Sequence, residues 1–256
     1  MTSTTSSAPG GAPAARSVGR TVLIAVVAVA LVAVAAGLWA KDLPLPAVVT
    51  LVLGAAWLSG WYRSRTGSWR VVDIVVASVL GVAGGILFSV WNLAVYGPVD
   101  AALAFFPPLS AIVAGVWLLP GVLGGLVVRR PGAAIYTELV AAVLSALVGN
   151  TWGFATVWYG LLEGAGAEVV LALLLYRRWG LPTALAAGAG AGVVVGVLDA
   201  FVYYPEFSTG YKLTYLVLAV VSGVVIAGLG SWALTRALAT TGALAPLASG
   251  RTATRV

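Results

Sequence analysis

The sequence predicts an all-α polytopic membrane protein with about eight transmembrane helices, and three observations carry that prediction. Of 256 residues, 61% are hydrophobic and 9% charged, with a mean hydropathy of +1.05; a soluble domain carries roughly 25% charged residues. The apolar residues fall in long runs, and a span needs about 20 of them. The 14 Lys and Arg residues sit in short clusters between those runs, where they set topology rather than form the basic face that nucleic acid would require.

Taken in order, the candidate spans are 21–40, 46–62, 71–95, 108–128, 133–149, 155–176, 181–202 and 213–236. Arg16 and Arg20 precede the first, whose apolar run exceeds the 7–15 residues of a signal-peptide core, so retention is expected. Lys41 follows the first span and Arg63, Arg65 and Arg70 the second. A basic-free "YGPVDAALAFFP" follows the third, Arg129 and Arg130 the fourth, "GNTWG" the fifth, Arg177 and Arg178 the sixth, Lys212 the seventh, and Arg236, Arg251 and Arg255 the eighth. Counted loop by loop, twelve basic residues fall on one side and two, Lys41 and Lys212, on the other. The Lys/Arg-rich side is cytoplasmic, which puts both termini inside and requires an even number of spans.

Residues 1–17 and 238–256 are rich in Ser, Thr, Ala, Pro and Gly and read as disordered tails. The first two spans, in residues 18–68, hold no acidic group, and every intramembrane carboxylate lies after Arg70. The working unit expected from this is the six-helix segment 69–237, with two added helices in front.

The chain has no Cys and no His, which removes disulfides, Cys/His metal sites, thiolate nucleophiles and imidazole bases. No metal site, cofactor or catalytic residue is expected. No G-x-x-x-x-G-K-[ST] occurs, since neither Lys41 nor Lys212 follows Gly, so ATP is not bound by a P-loop here. "GAGAG" at 188–192 lies within an apolar run and reads as helix packing, not a dinucleotide loop.

A carboxylate in hydrocarbon costs at least ~2.5 kcal/mol, so each one inside the spans needs a reason. Helix rise places Glu163 about 12 Å below the outer surface, and Asp199 close to the outer end of its own span. Asn92 and Asn150 lie at the same level, so four polar groups from four segments converge on the outer half. Around them stand Trp91, Tyr96, Trp152, Trp158, Tyr159, Tyr203, Tyr204 and Tyr211. Aromatic residues also form an interface belt, and the inner ends carry a comparable set; coincidence with the polar groups is what singles out the outer one. The expected binding residues are Glu163, Asp199, Asn150, Asn92, Trp91, Trp152, Trp158 and Tyr203.

Glu138 and Glu168 fall in the inner half, on small-residue stripes at spacing four, and two readings stay open for them, helix locking and coupling. Glu163 lies about 140° around the helix from Glu168, so the two serve different faces. Ala77, Gly81 and Gly85 form a further smooth stripe that admits close approach of another helix, within the bundle or from a partner.

The segments "WRVVDIV", "RRPGAAIYTELVAAVLSALVGN", "GLLEGAGAE" and "LDAFVYYPEFSTGY", taken together over about 69–236, resemble the YkoE-like S components of energy-coupling-factor (ECF) vitamin importers, associated with thiamine and its hydroxymethylpyrimidine precursor. The resemblance implies a six-helix substrate-binding subunit in a bacterial cell membrane, with its site near the outer surface, docked on a transmembrane T component and two cytoplasmic ABC-type ATPases. By motif it carries over Glu138, Asn150, Glu168 and Asp199, and it assigns Ala77, Gly81 and Gly85 to the T-component surface. An aminopyrimidine offers paired hydrogen bonds to a carboxylate or Asn while an aromatic ring stacks on it. A thiazolium cation suits an aromatic face and a carboxylate. The competing functions are a proton-coupled secondary transporter with Glu138 and Glu168 as relay, and a scaffold whose carboxylates serve packing only.

Overall fold

The computed structural model describes residues 68–253, with Leu51, Gly54, Ala55 and Leu58 ahead of them. The expectations for residues 1–17, and for all but those four positions of 18–67, lie outside the described residues. Among the described residues every regular element is helical. Among the described residues, five helices are long and apolar enough to cross a membrane: α1 (Val71–Leu103), α2 (Pro107–Val128), α4 (Ala155–Leu173), α5 (Leu181–Val202) and α6 (Thr209–Thr240). Between α2 and α4 runs α3 (Ala133–Val148), a shorter apolar helix of 16 residues, about 24 Å long.

α1 begins where Asp73 closes its first turn. The Asp73 carboxylate accepts from the Arg70 amide at 2.9 Å, pairs with Arg70 Nη2 at 2.7 Å, and receives Arg130 Nε at 3.1 Å. An anion in the first turn suits the helix dipole, and Arg130 ties that end to the α2–α3 turn. The expected span ended at 95, yet α1 runs on to Leu103 through a π turn at Trp91–Val95. Pro98 supplies no amide hydrogen to the ladder, and the wider turn just before it lets the helix bend rather than stop.

The Ala77, Gly81 and Gly85 stripe is buried inside the chain, which corrects its assignment as an exposed docking face. A Cβ at Gly81 would lie 2.7 Å from Val140, and one at Gly85 2.7 Å from Leu144. The stripe is therefore the α1–α3 seam. The outward face of α1 carries Val75, Val79, Val82 and Ile86, all exposed.

α3 is held on its other side by glycines of α4: Gly160 faces Ala142, and Gly164 faces Ile135 and Glu138. "GAGAG" packs in two directions, with Gly190 against Gly166 of α4, and Gly188 and Gly192 against Gly223 and Ala219 of α6. Close backbone approach of this kind is how helices associate where water cannot drive them together. The larger buried cluster lies between α2, α4, α5 and α6, around Leu118, Val122, Leu171 and Val195.

Residues after 240 fold back onto the bundle, although their composition predicts a disordered tail. Leu244 and Leu247 are buried against Val127, Val128 and Ala77, and Ser249 Oγ donates to the Val127 carbonyl at 2.7 Å. The short helix α7 (Ala248–Ala253) follows. The two leucines, the Ser249 bond and Arg70 Nη2, which donates to the Pro246 carbonyl at 3.3 Å, help order a segment whose composition favours no structure.

Candidate functional site

The polar residues of the bundle gather at two levels. At the end rich in arginine, Glu168 of α4 caps the start of α3. Its Oε1 accepts from the Gly132 amide at 2.6 Å and from the Tyr176 hydroxyl at 2.6 Å, and its Oε2 from the Ala134 amide at 2.8 Å. Gly132 is the N-cap of α3 and Ala134 lies in its first turn, where helical donors have no intrahelical partner. A carboxylate from a neighbouring helix thus does the work of an N-cap. Glu138 is held differently. Pro120 breaks the ladder within α2, and the next amide, Gly121, donates to Glu138 Oε2 at 2.5 Å. A Cβ at Gly121 would lie 2.7 Å from that oxygen, so glycine is what lets the carboxyl group in.

At the opposite end lies a cavity of about 260 Å³ lined from each of α1 to α6, α3 contributing Ala142, near the lower limit for small-molecule sites, roughly 300–1,000 Å³. Five expected residues line it: Glu163, Asp199, Asn92, Trp152 and Tyr203. Trp117, Tyr96, Tyr159, Tyr204, Tyr215, Phe88, Ser110 and Thr156 line it too. Tyr96, Trp117 and Trp152 form a three-ring cage, with centroids 5.0, 5.5 and 5.9 Å apart.

The cage is built from hydrogen bonds that start at Ser145 of α3. Its hydroxyl accepts from Asn92 Nδ2 and from Asn150 Nδ2, each at 3.2 Å. Asn92 Oδ1 in turn accepts from Trp117 Nε1 at 2.8 Å. Asn150 Oδ1 accepts from the Trp152 amide at 2.9 Å and from Thr156 Oγ1 at 3.1 Å. The GNTWG loop reaches this position because Gly149 and Gly153 take φ of +102° and +56°, values that side chains disfavour.

Three expected residues stand elsewhere. Asn150 is spent on holding Trp152 and does not line the cavity. Trp91 packs edge-on against Trp117 from behind, centroids 6.1 Å apart. Trp158 is 51% exposed on the outside of α4, although its sequence neighbour Tyr159 lines the cavity.

The carboxyl groups complete the site. Glu163 is buried on α4, and Asp199 of α5 accepts from the Tyr215 hydroxyl at 2.7 Å. Tyr203 and Tyr204 follow α5 directly, their amides donating to the Asp199 carbonyl. Burial, and next the Asp199 charge, push the Tyr203 phenol up to about 12, so it stands as a hydrogen-bond donor throughout the physiological range. An aromatic cage and two carboxyl groups facing one cavity form an arrangement suited to a cation with a flat ring.

Trp117 and Tyr215 escaped the sequence reading because an aromatic residue within a span is usually lipid-facing or packing. The available signal was depth: Trp117 lies ten residues into α2, far from the interface level where Trp normally sits.

Residues 72–194 match a family model described as the permease component of an ABC-type cobalt transport system. The chain is 34% identical over 185 residues to YkoE of Bacillus subtilis (strain 168), named as a candidate HMP/thiamine permease protein; the match spans 72% of this chain and 92% of that one. A crystal structure described as an S component of an ECF transporter superposes with a TM-score of 0.66 and 32% identity, covering 73% of this chain and 94% of that one. Both matches extend across most of the relative. The chain belongs to the YkoE-like S components of ECF transporters.

Proposed function

We propose that this chain is the substrate-binding membrane subunit of an ATP-driven ECF importer and that it binds thiamine or its hydroxymethylpyrimidine precursor in the cavity that α1 to α6 enclose. The observation that carries the reading is the cage of Tyr96, Trp117 and Trp152 sharing one cavity with Glu163 and Asp199. The flat pyrimidine packs against the cavity-facing side of these rings, and a carboxylate engages the ring amine or the thiazolium charge. The name given to the B. subtilis relative supports the same substrate class. Cobalt, named in the family model, has no matching donor set: the sequence contains no His or Cys, and among the described residues no three acidic side chains group as metal ligands.

In this reading residues 69–237 are the six-helix core and 18–68 add two further spans, giving eight with both termini in the cytoplasm of a bacterial cell and the cavity opening outward. Arg70, Arg129, Arg130, Arg177, Arg178 and Arg236 all cluster at the end away from the cavity, as the positive-inside rule requires of that orientation. ATP hydrolysis falls to two separate ABC-type ATPases, joined through a T component, and the chain itself carries no cofactor.

Uptake of labelled thiamine into proteoliposomes tests the proposal. The chain alone binds but does not transport; with T component, ATPases and internal ATP, thiamine accumulates. Accumulation by the chain alone, driven by a pH gradient, would contradict it.

A further inference from the structure

Glu138 is fully buried behind the cavity wall. A Cβ at Gly164 would lie 2.9 Å from Glu138 Cβ, so α3 and α4 touch backbone to side chain there. Glu138 Oε2 holds the Gly121 amide, and Oε1 is buried with no hydrogen-bond partner. Glu163, the residue before Gly164, stands on the cavity side of this contact and shares the cavity lining with Asp199. The elements packed around this row bring no counter-charge to it among the described residues. α2 presents the Gly121 amide, α6 the Tyr215 hydroxyl on Asp199, α4 the Tyr159 phenol, and the segment after α5 Tyr203. On α1, Asp73 is paired with Arg70 and Arg130, and Glu168 on α4 is fully taken up in capping.

A carboxylate oxygen without a donor in an apolar interior is expensive, and a protonated carboxyl group removes the cost by donating. Two adjoining carboxyl groups without a cation do not both ionise. We propose that Glu138 and Glu163 share one proton in the empty site, and that a cationic ligand displaces it. As the ligand enters, the carboxyl O–H bond breaks and the proton passes to external water. The pair goes from one negative charge to two, and the ligand's positive charge restores the balance. The inference rests on the reading of the cavity as a thiamine-type site, and it makes Glu138 a positioning residue that sets the charge of Glu163 without touching ligand.

The test is calorimetric titration of the detergent-purified full chain with thiamine in two buffers of different ionisation enthalpy. The dependence of the observed heat on buffer counts the protons released. Wild type releases close to one proton per thiamine, and its Kd tightens by up to tenfold per unit rise in pH as long as the empty pair still holds the proton. Glu138→Gln keeps an oxygen for the Gly121 amide, and its release falls to near zero with a flat pH profile. Intact thiamine binding with no proton release in wild type overturns the shared proton and leaves the binding function standing. Absence of thiamine binding overturns both. Unchanged release in Glu138→Gln removes Glu138 as the holder; if that variant does not fold, the wild-type buffer comparison alone decides.

Discussion

Replacing Glu168 by Gln exchanges one carboxylate oxygen for an amide while leaving side-chain volume almost unchanged, so it isolates the cap that α4 places on α3. Three donors converge on that carboxylate, the Gly132 and Ala134 amides and the Tyr176 hydroxyl. A Gln oxygen can serve only one side of the group, and its NH2 then points at a donor. At ~1–3 kcal/mol for each buried donor left unpaired, plus ~0.3–1 kcal/mol for the lost anion at a helix start, the expected destabilisation is about 3 kcal/mol. Tyr176→Phe removes one donor and leaves both amides served, so it should cost less, about 1.5 kcal/mol. The double variant should be less destabilised than the sum of the two, because both act on one network. Denaturant unfolding of the micelle-bound chain, followed by circular dichroism, gives all three values. Thiamine affinity should stay within threefold of wild type in each folded variant, since Glu168 lies at the far end from the cavity. A Glu168→Gln variant within 0.5 kcal/mol of wild type would refute the capping argument. So would lost binding without lost stability, which would instead make Glu168 a coupling residue.

Two other perturbations follow from packing. Gly81→Ala drives a methyl group into Val140 across the α1–α3 seam and should destabilise by about 1–3 kcal/mol, whereas Gly97→Ala, with nothing within 4 Å, should be neutral or slightly stabilising in the same unfolding assay. Leu247→Ala empties a fully buried position in the folded-back C-terminal segment and should cost about 2–5 kcal/mol; if residues 241–253 do not pack on α2, the change will leave stability untouched.

How much of this was legible in the sequence depends on what each feature needs. α5 begins at Leu181 and ends at Val202, as its apolar run predicts, because Gly180 and Pro182 mark its start and the tyrosines its end. Depth is linear in residue number along a helix, which is why Glu163, Asp199 and Asn92 could be brought to one level from sequence alone. Facing is not. Trp158 and Tyr159 are neighbours in sequence, yet one points outward and the other into the cavity, and only the positions of α3 and α5 decide which. The small stripe on α1 was correctly read as a close-packing face, but spacing cannot say whether α3 or a partner fills it. The capping role of Glu168 depends on the left-handed turn at Gly132, which aims two amides at another helix. Spacing along α4 leaves locking and coupling equally open for Glu168, and the placed donors supply the locking contacts. Asn150 was read as a ligand contact, and it serves the cavity at one remove by fixing Trp152.

The measurement that bears most directly on the central claim is calorimetric titration of the purified chain with thiamine, comparing wild type with Asp199→Asn and Trp152→Ala. If the cage and the carboxyl groups hold the ligand, wild type binds saturably with one site per chain, and each variant loses at least tenfold in affinity, ~1.4 kcal/mol, while remaining folded. Folded wild type that binds neither thiamine nor hydroxymethylpyrimidine, or variants that bind thiamine as tightly as wild type, would contradict the account.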